Sequence, residues 1–399
     1  GEYAQTIKKC VEIVSGYPGI RVINVEAYAF NDAGSTLVQE LGYAMSMGSE
    51  YLNLMTSAGI DATEAASRVK FTFAISSNYF MEIAKFRAAR VIWANIAATY
   101  GASVEAQKIA MHAVTSQWNM TVYDSYVNML RGTTEAMSAA LAGVDSLEVL
   151  PFDYSYREPG EFSNRIARNV QIILKEESYF DKVVDPSAGS YYIETLTQSF
   201  VDNGWGLFRE TEAKGGFTEA FKSGVVQEQV KASALKKDQS IATRREILLG
   251  TNQYPNFTEK ISNEVTADVV TRGVAAKEAD EIAEPLQKYR GSQVFEAMRY
   301  ATDKSGKTPK VFMLTFGNLA MCRARAQFSS NFFAVAGYDI IDNNRFATVE
   351  EGVKAAFEAK AEIVVACSSD DEYAEAVPQI AALLGEKAIL VVAGDPACK

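Results

Sequence analysis

The chain has 399 residues, 48% of them apolar and 22% charged, which is material for two to four domains with ordinary cores and excludes a disordered chain. No apolar run approaches the roughly 18 residues of a membrane span, so an integral membrane protein is not expected. A formal net charge of −11, with no basic block interleaved with aromatics, argues against nucleic-acid binding.

The first 150 residues alternate short β-branched runs with long amphipathic stretches, the pattern of parallel βα units. Strands are predicted at Arg21 to Val25, Val69 to Ile75, Lys108 to Val114 and Ser146 to Val149, each followed by a helix-length segment. In the helix after the second strand, Phe80, Ala84, Ala88, Val91, Ala94 and Ala98 recur three or four apart and predict one apolar stripe. Glu82, Lys85 and Arg87 fall largely off that stripe, and Phe80 and Trp93 read as helix core. From Phe162 to Leu249 the pattern is mostly helical, with a turn at Asp185 to Ser190. Residues 255–290 are polar and read as a linker, ending in a helix with Val294, Phe295, Met298 and Ala301 on one face.

A further domain begins near Thr308. Apolar strands at Val311 to Leu314, Tyr338 to Ile341, Ile363 to Ala366 and Ile389 to Val392, separated by helices, describe a doubly wound, flavodoxin-like sheet. Ligands of such sheets bind beyond the carboxyl ends of the strands, which directs attention to Thr315 to Arg323. That loop holds one glycine and no G-x-G-x-x-G, so it predicts no phosphate cradle. The sequence reaches Val392 without a closing helix, so the domain reads as cut short.

Chemistry-bearing residues are sparse. Cys10, Cys322, Cys367 and Cys398 form no C-x-x-C pair, which predicts neither a disulfide framework nor a zinc knuckle and fits a reducing cytosol. His112 is the one histidine, so a His-rich metal site is excluded. In its apolar company it either packs or points into a barrel mouth, and packing is the preferred reading. Cys322, near a helix start, reads as a half-buried structural thiol in preference to a nucleophile or metal ligand. Asp370 to Glu372 reads as a helix start, and Glu278 to Glu281 as a solvated face. Residues 1–19 lack the charged start and apolar stretch of a signal peptide, which places any targeting segment upstream.

Several longer strings are more specific. They are Ala27-Tyr28 with Asp32-Ala33-Gly34, Asn78 to Lys85 with Arg87 to Arg90 and Trp93, Arg165 to Asn169 with Gln171, Glu177 and Ser178, and Asp185-Pro186 with Gly189 to Glu194. Through them the chain resembles, over essentially its whole length, the adenosylcobalamin-dependent methylmalonyl-CoA mutase family. The resemblance implies the second half of a (β/α)8 TIM-type barrel (1–185), a helical region and linker (186–307), and a flavodoxin-like cobalamin-binding-type domain (308–399). It also implies that the chain begins in mid-barrel.

The departures from the family's pattern concern its chemistry. Catalytic members carry Tyr-His where this chain has Tyr28-Ala29, and an alanine cannot donate a hydrogen bond to the thioester carbonyl. His112 matches a histidine of the family, but among apolar neighbours, and Glu148-Val149-Leu150 replaces a His-Thr-Asn segment. At the Asp-x-His-x-x-Gly positions that bind cobalamin stand Ala320, Cys322 and Arg325. Arg290-Gly291 and Phe295 to Arg299 resemble the linker helix of the family's small subunits. The resemblance therefore implies a non-catalytic small subunit, without catalytic, cofactor or metal residues of its own, in a heterodimer whose homologous large subunit holds adenosylcobalamin. The alternatives are a self-sufficient acyl-CoA mutase using His112 and another lower ligand, and a non-catalytic acyl-CoA binding module.

Overall fold

The computed structural model describes residues 2–261, 263–274, 277–278 and 281–395. Cys398, and Ala279 and Asp280 of the Glu278 to Glu281 stretch, lie outside the described residues. The chain divides into two compact units, one of residues 1–120, 125–240 and 273–291, the other of residues 121–124, 241–272 and 292–399.

The first unit is built on four parallel strands, β1 (Ile23–Glu26), β2 (Val69–Ile75), β3 (Ala110–Thr115) and β4 (Ser146–Glu148), hydrogen-bonded in chain order. A short helix α1 (Glu2–Ile13) precedes them. Between β1 and β2 run α2 (Tyr28–Asp32), α3 (Leu37–Ser57) and α4 (Ala62–Ser67); α5 (Tyr79–Thr99) and α6 (Val127–Ala142) follow β2 and β3. After β4 come α7 (Glu161–Glu176), α8 (Tyr191–Glu212), α9 (Phe217–Lys222) and α10 (Val225–Ala242). Local chemistry sets the helix starts. Thr36 and Gln39 form a reciprocal capping box on α3, and Asp61 accepts from Thr63 N and Glu64 N on α4.

Because side chains alternate across a strand, Val25, Phe71, Phe73, Ile75, Met111 and Ala113 face the helices and form the core with Leu41, Met45, Ile92 and Trp93. Phe71 meets Trp93 edge-on, with ring centroids 4.8 Å apart. The alternate residues line a cavity on the other face of the sheet.

Helix α5 corrects the predicted stripe. Phe80 and Val91 are 52% and 44% exposed, with Phe80 edge-on to Tyr192, while Glu82 and Lys85 are fully buried. Trp93 is core as expected. Apolar residues occur on every side of this helix, and the neighbours that pack on it, α3, α6 and α8, select which side is covered. The buried charges are paired: Lys85 Nζ lies 2.8 Å from Glu40 Oε2 and 2.7 Å from Glu82 Oε2, and donates to Ala74 O at 2.8 Å.

The second unit holds α11 (Ala267–Val270), α12 (Gln293–Ser305) and a parallel sheet of β5 (Lys310–Thr315), β6 (Asp339–Ile341), β7 (Ile363–Cys367) and β8 (Ile389–Val392). Its order is β6-β5-β7-β8, so the chain moves outward from β5 to β6 and then crosses to the other side for β7. Helix α13 (Leu319–Ala334) packs on one face with Val311, Met313 and Val365; α14 (Val349–Glu358) and α15 (Asp370–Leu384) pack on the other with Phe312, Leu314 and Val364. Asp370 to Glu372 opens α15, and Ser369 with Glu372 forms its capping box.

On α12 the predicted apolar face is the outer one. Val294 and Met298 are 65% and 43% exposed, while Glu296, Arg299 and Tyr300 are buried. The reason is polar: Arg299 donates to the carbonyls of Asn256 and Glu259 and stacks 4.3 Å over the Tyr123 ring, whose hydroxyl donates to Asp303. Among the described residues no helix is long and apolar enough to cross a membrane.

Candidate functional site

The face of the first sheet turned away from its helix-packed core carries polar and charged side chains. Its cavity, about 390 Å³, is lined by β1 (Asn24, Glu26), β2 (Lys70, Thr72, Ala74), β3 (His112, Val114) and Glu148 of β4. Parallel register aligns these residues in rows, Asn24 beside Lys70, then Glu26, Thr72 and His112. Tyr28, Asp32, Gln117, Tyr154 and Lys288 close the mouth at the carboxyl ends of the strands. Lys288 is brought there by backbone contacts. Tyr289 N donates to Asp32 O at 2.9 Å, and a side chain at Gly34 would collide with the Tyr289 hydroxyl at 2.6 Å.

His112 therefore lines the cavity, and the preference for packing is corrected: its position in β3 falls on the face turned away from the helix-packed core. Its Nδ1 shares a 2.7 Å hydrogen bond with Ser146 Oγ, and Nε2 stands 3.9 Å from Glu148 Oε2. Burial, aided by Lys70, holds its pKa below the usual 6.5, against the pull of Glu148, so the ring is mainly neutral at pH 7. Burial pushes the Asp32 carboxyl up to about 6 against the opposing effect of Lys288. Burial and the neighbouring carboxylates Glu26 and Asp32 raise Tyr28.

Ala29, in the first turn of α2, is half-buried and offers only a methyl group. In the second unit, Ala320, Cys322 and Arg325 all fall within the first two turns of α13, which Asn318 caps by accepting from Met321 N at 3.0 Å. The structure thus brings these three together, on a different unit from Ala29 and His112. Cys322 is fully buried, deeper than the half-buried thiol expected, and its Sγ donates to Leu319 O. The helix begins early enough to turn this position onto the sheet. Arg325 donates to Ser368 O at 2.6 Å, pairs with Asp370 at 2.9 Å and lies over the Tyr373 ring.

Sequence reasoning missed Asp32, Lys288, Lys70 and Glu26 as cavity residues. A signal was available in the polar residues recurring at every second position of otherwise apolar strands, Asn24 and Glu26, then Lys70 and Thr72. Nothing local marked Lys288. A larger cavity, about 1060 Å³, opens on the helical side, but its arginines are engaged: Arg87 with Asp185 and Glu194, Arg90 with the carbonyls of Ala142 and Gly143.

Two parallel sheets wound by helices, one in chain order and one crossing back on itself, define an α/β protein of repeated βα units. The family model described as methylmalonyl-CoA mutase matches residues 3–326, and the chain belongs to that family. A methylmalonyl-CoA mutase small subunit of Porphyromonas gingivalis is 57% identical over 96% of this chain and 62% of its own length. The small subunit of Streptomyces virginiae is 35% identical over 92% of this chain and 58% of its own length. That of Propionibacterium freudenreichii subsp. shermanii is 31% identical, covering 93% and 57%. The chain thus spans about three fifths of the length of these curated relatives.

Proposed function

We propose that this chain acts as the non-catalytic small subunit of a methylmalonyl-CoA mutase. It supports a homologous large subunit, which interconverts methylmalonyl-CoA and succinyl-CoA with adenosylcobalamin, by burying surface against it in a cytoplasmic heterodimer. In this reading residues 1–185 are part of a (β/α)8 barrel, 186–307 a helical region and linker, and 308–399 a flavodoxin-like domain of the cobalamin-binding type.

The observation that carries the reading is the first two turns of α13. The family's cofactor would need a lower ligand, an orienting carboxylate and a close-approach glycine on this segment. Ala320 has no donor atom, the Cys322 thiol is sealed against the sheet, and the Arg325 guanidinium is committed to Ser368 and Asp370. These residues do not fit cobalamin. On the barrel side, Ala29 supplies no hydrogen bond, and the concave face carries ionisable groups of both signs, poorly suited to an acyl chain.

A second reading, a chain that turns over an acyl-CoA alone, is favoured by the place of His112 in the cavity. Native mass of the protein purified from its source, with the absorbance spectrum of the same peak, separates the two. One larger partner with one equivalent of cobalamin supports the small-subunit reading. A homo-oligomer carrying cobalamin overturns it.

A further inference from the structure

Three buried carboxylates of the first unit share one buried cation. Glu40 of α3, Glu82 of α5 and Glu135 of α6 are at most 2% exposed, and Lys85 is fully buried. Lys85 is committed to Glu40 and Glu82, at 2.8 and 2.7 Å, and among the described residues Glu135 forms no ion pair. Glu82 opposes the ionisation of Glu135 from α5, while Asn119, Arg131 on its own helix and the Ser116 backbone favour it. Were all three carboxylates ionised, the cluster would set three negative charges against the one positive charge of Lys85, away from water. It therefore holds a proton, and the carboxyl without a cation is the one to carry it.

Glu135 is also a tie. Asn119 Nδ2 donates to its Oε1 at 2.6 Å, and among the described residues the buried Asn119 side chain makes no other hydrogen bond. Asn119 belongs to the irregular segment 116–120 that leaves β3, which gives way more easily than the strands and helices around it. Opening there lets water reach the carboxyl, which then ionises at its ordinary value near 4.5. In the closed form burial raises it to about 8, against the donation from Asn119. Opening and proton release are thus one equilibrium. We propose that neutral Glu135 latches the segment 116–120 shut, and that the segment opens by giving up this proton.

The latch lies inside this chain and does not rest on the small-subunit reading. Between the two values opening should grow about tenfold per pH unit, and above about 8 it should level off. The experiment is hydrogen–deuterium exchange of the full chain from pH 5.5 to pH 9, read by mass spectrometry on peptides covering 116–120, β2 and α5 and corrected for the intrinsic exchange rate. Protection of 116–120 should fall about tenfold per pH unit up to about pH 8, and stay below that of β2 and α5 throughout. Glu135→Gln, neutral at every pH, should make the profile flat. Asn119→Ala cuts the tie and leaves the acid, so it should lower protection of 116–120 several-fold at pH 5.5 with β2 unchanged. That variant keeps the test valid if Glu135→Gln fails to fold. Wild-type protection independent of pH, a slope kept by Glu135→Gln, protection unchanged by Asn119→Ala, or exchange of 116–120 in step with β2 overturns the proposal.

Discussion

Replacing Lys85 by methionine keeps the length and much of the volume of the side chain and deletes only its ammonium. That group is buried completely against Glu40 and Glu82, at 2.8 and 2.7 Å. Removing one partner of a buried ion pair costs about 3–5 kcal/mol. The carboxylates would not be wholly stranded, because Glu40 still accepts from Ala74 N at 2.7 Å and Glu82 from Ser76 N at 2.8 Å. Burial already raises Glu40 to about 7, so losing the cation should drive it to take up a proton. Protonating a carboxyl of ordinary pKa near 4.5 costs roughly 3.4 kcal/mol at pH 7 and roughly 0.7 at pH 5, which caps the penalty and makes it pH-dependent. Lys85→Met should therefore lose about 3 kcal/mol at pH 7 and clearly less at pH 5, read from urea unfolding followed by circular dichroism. The triple variant Glu40→Gln, Glu82→Gln, Lys85→Met should recover most of the loss. A loss below about 1 kcal/mol at pH 7, or one independent of pH, would refute the reasoning.

Glu135 is fully buried and raised to about 8 chiefly by burial, although Asn119 donates to it at 2.6 Å. The folded chain thus holds a proton that the unfolded chain releases above about 4.5, so stability declines as pH rises from about 4.5 to 8. Glu135→Gln should flatten that decline by a few kcal/mol at pH 8, and urea midpoints at pH 5 and 8 that move in parallel with wild type would contradict it. Gly48 on α3 faces the aromatic core, where an added Cβ would lie 2.6 Å from Phe71 and 2.7 Å from Trp93. Gly48→Ala should cost about 1–3 kcal/mol by overpacking, less the roughly 1 kcal/mol that alanine gains in a helix, and a raised melting temperature would count against this. In the proposed small-subunit reading, Ala29→His would supply one family residue but leave the α13 segment unchanged. The isolated variant is expected to show no turnover of methylmalonyl-CoA, and detectable succinyl-CoA by chromatography would sink that expectation.

Much of this protein was legible in local pattern. Val69–Ile75 and Ile389–Val392 coincide with predicted strands, and the other strands differ by at most two residues at either end. Period-two alternation, β-branched runs and caps such as Ser369 with Glu372 are properties of neighbouring residues, so no distant contact is needed to read them. Family strings such as Asn78 to Lys85 and Arg165 to Asn169 likewise point to the family that the model match then shows.

What the sequence left open were the choices that depend on partners distant along the chain. Apolar residues occur on every side of α5, so the packing of α3, α6 and α8 decides that Phe80 faces water and Lys85 does not. On α12, Arg299 goes inward because Asn256, Glu259 and Tyr123 wait there, which turns Val294 outward. His112 and Lys70 take their place from the side of β2 and β3 turned away from the helix-packed core, and Lys288 joins Asp32 in the cavity lining from more than 250 residues away along the chain. By itself the sequence determined the elements and their order, because those are matters of identity and spacing. Only the tertiary structure decided which faces are buried and which charges meet, because burial and Coulomb energy depend on distance in space and not along the chain.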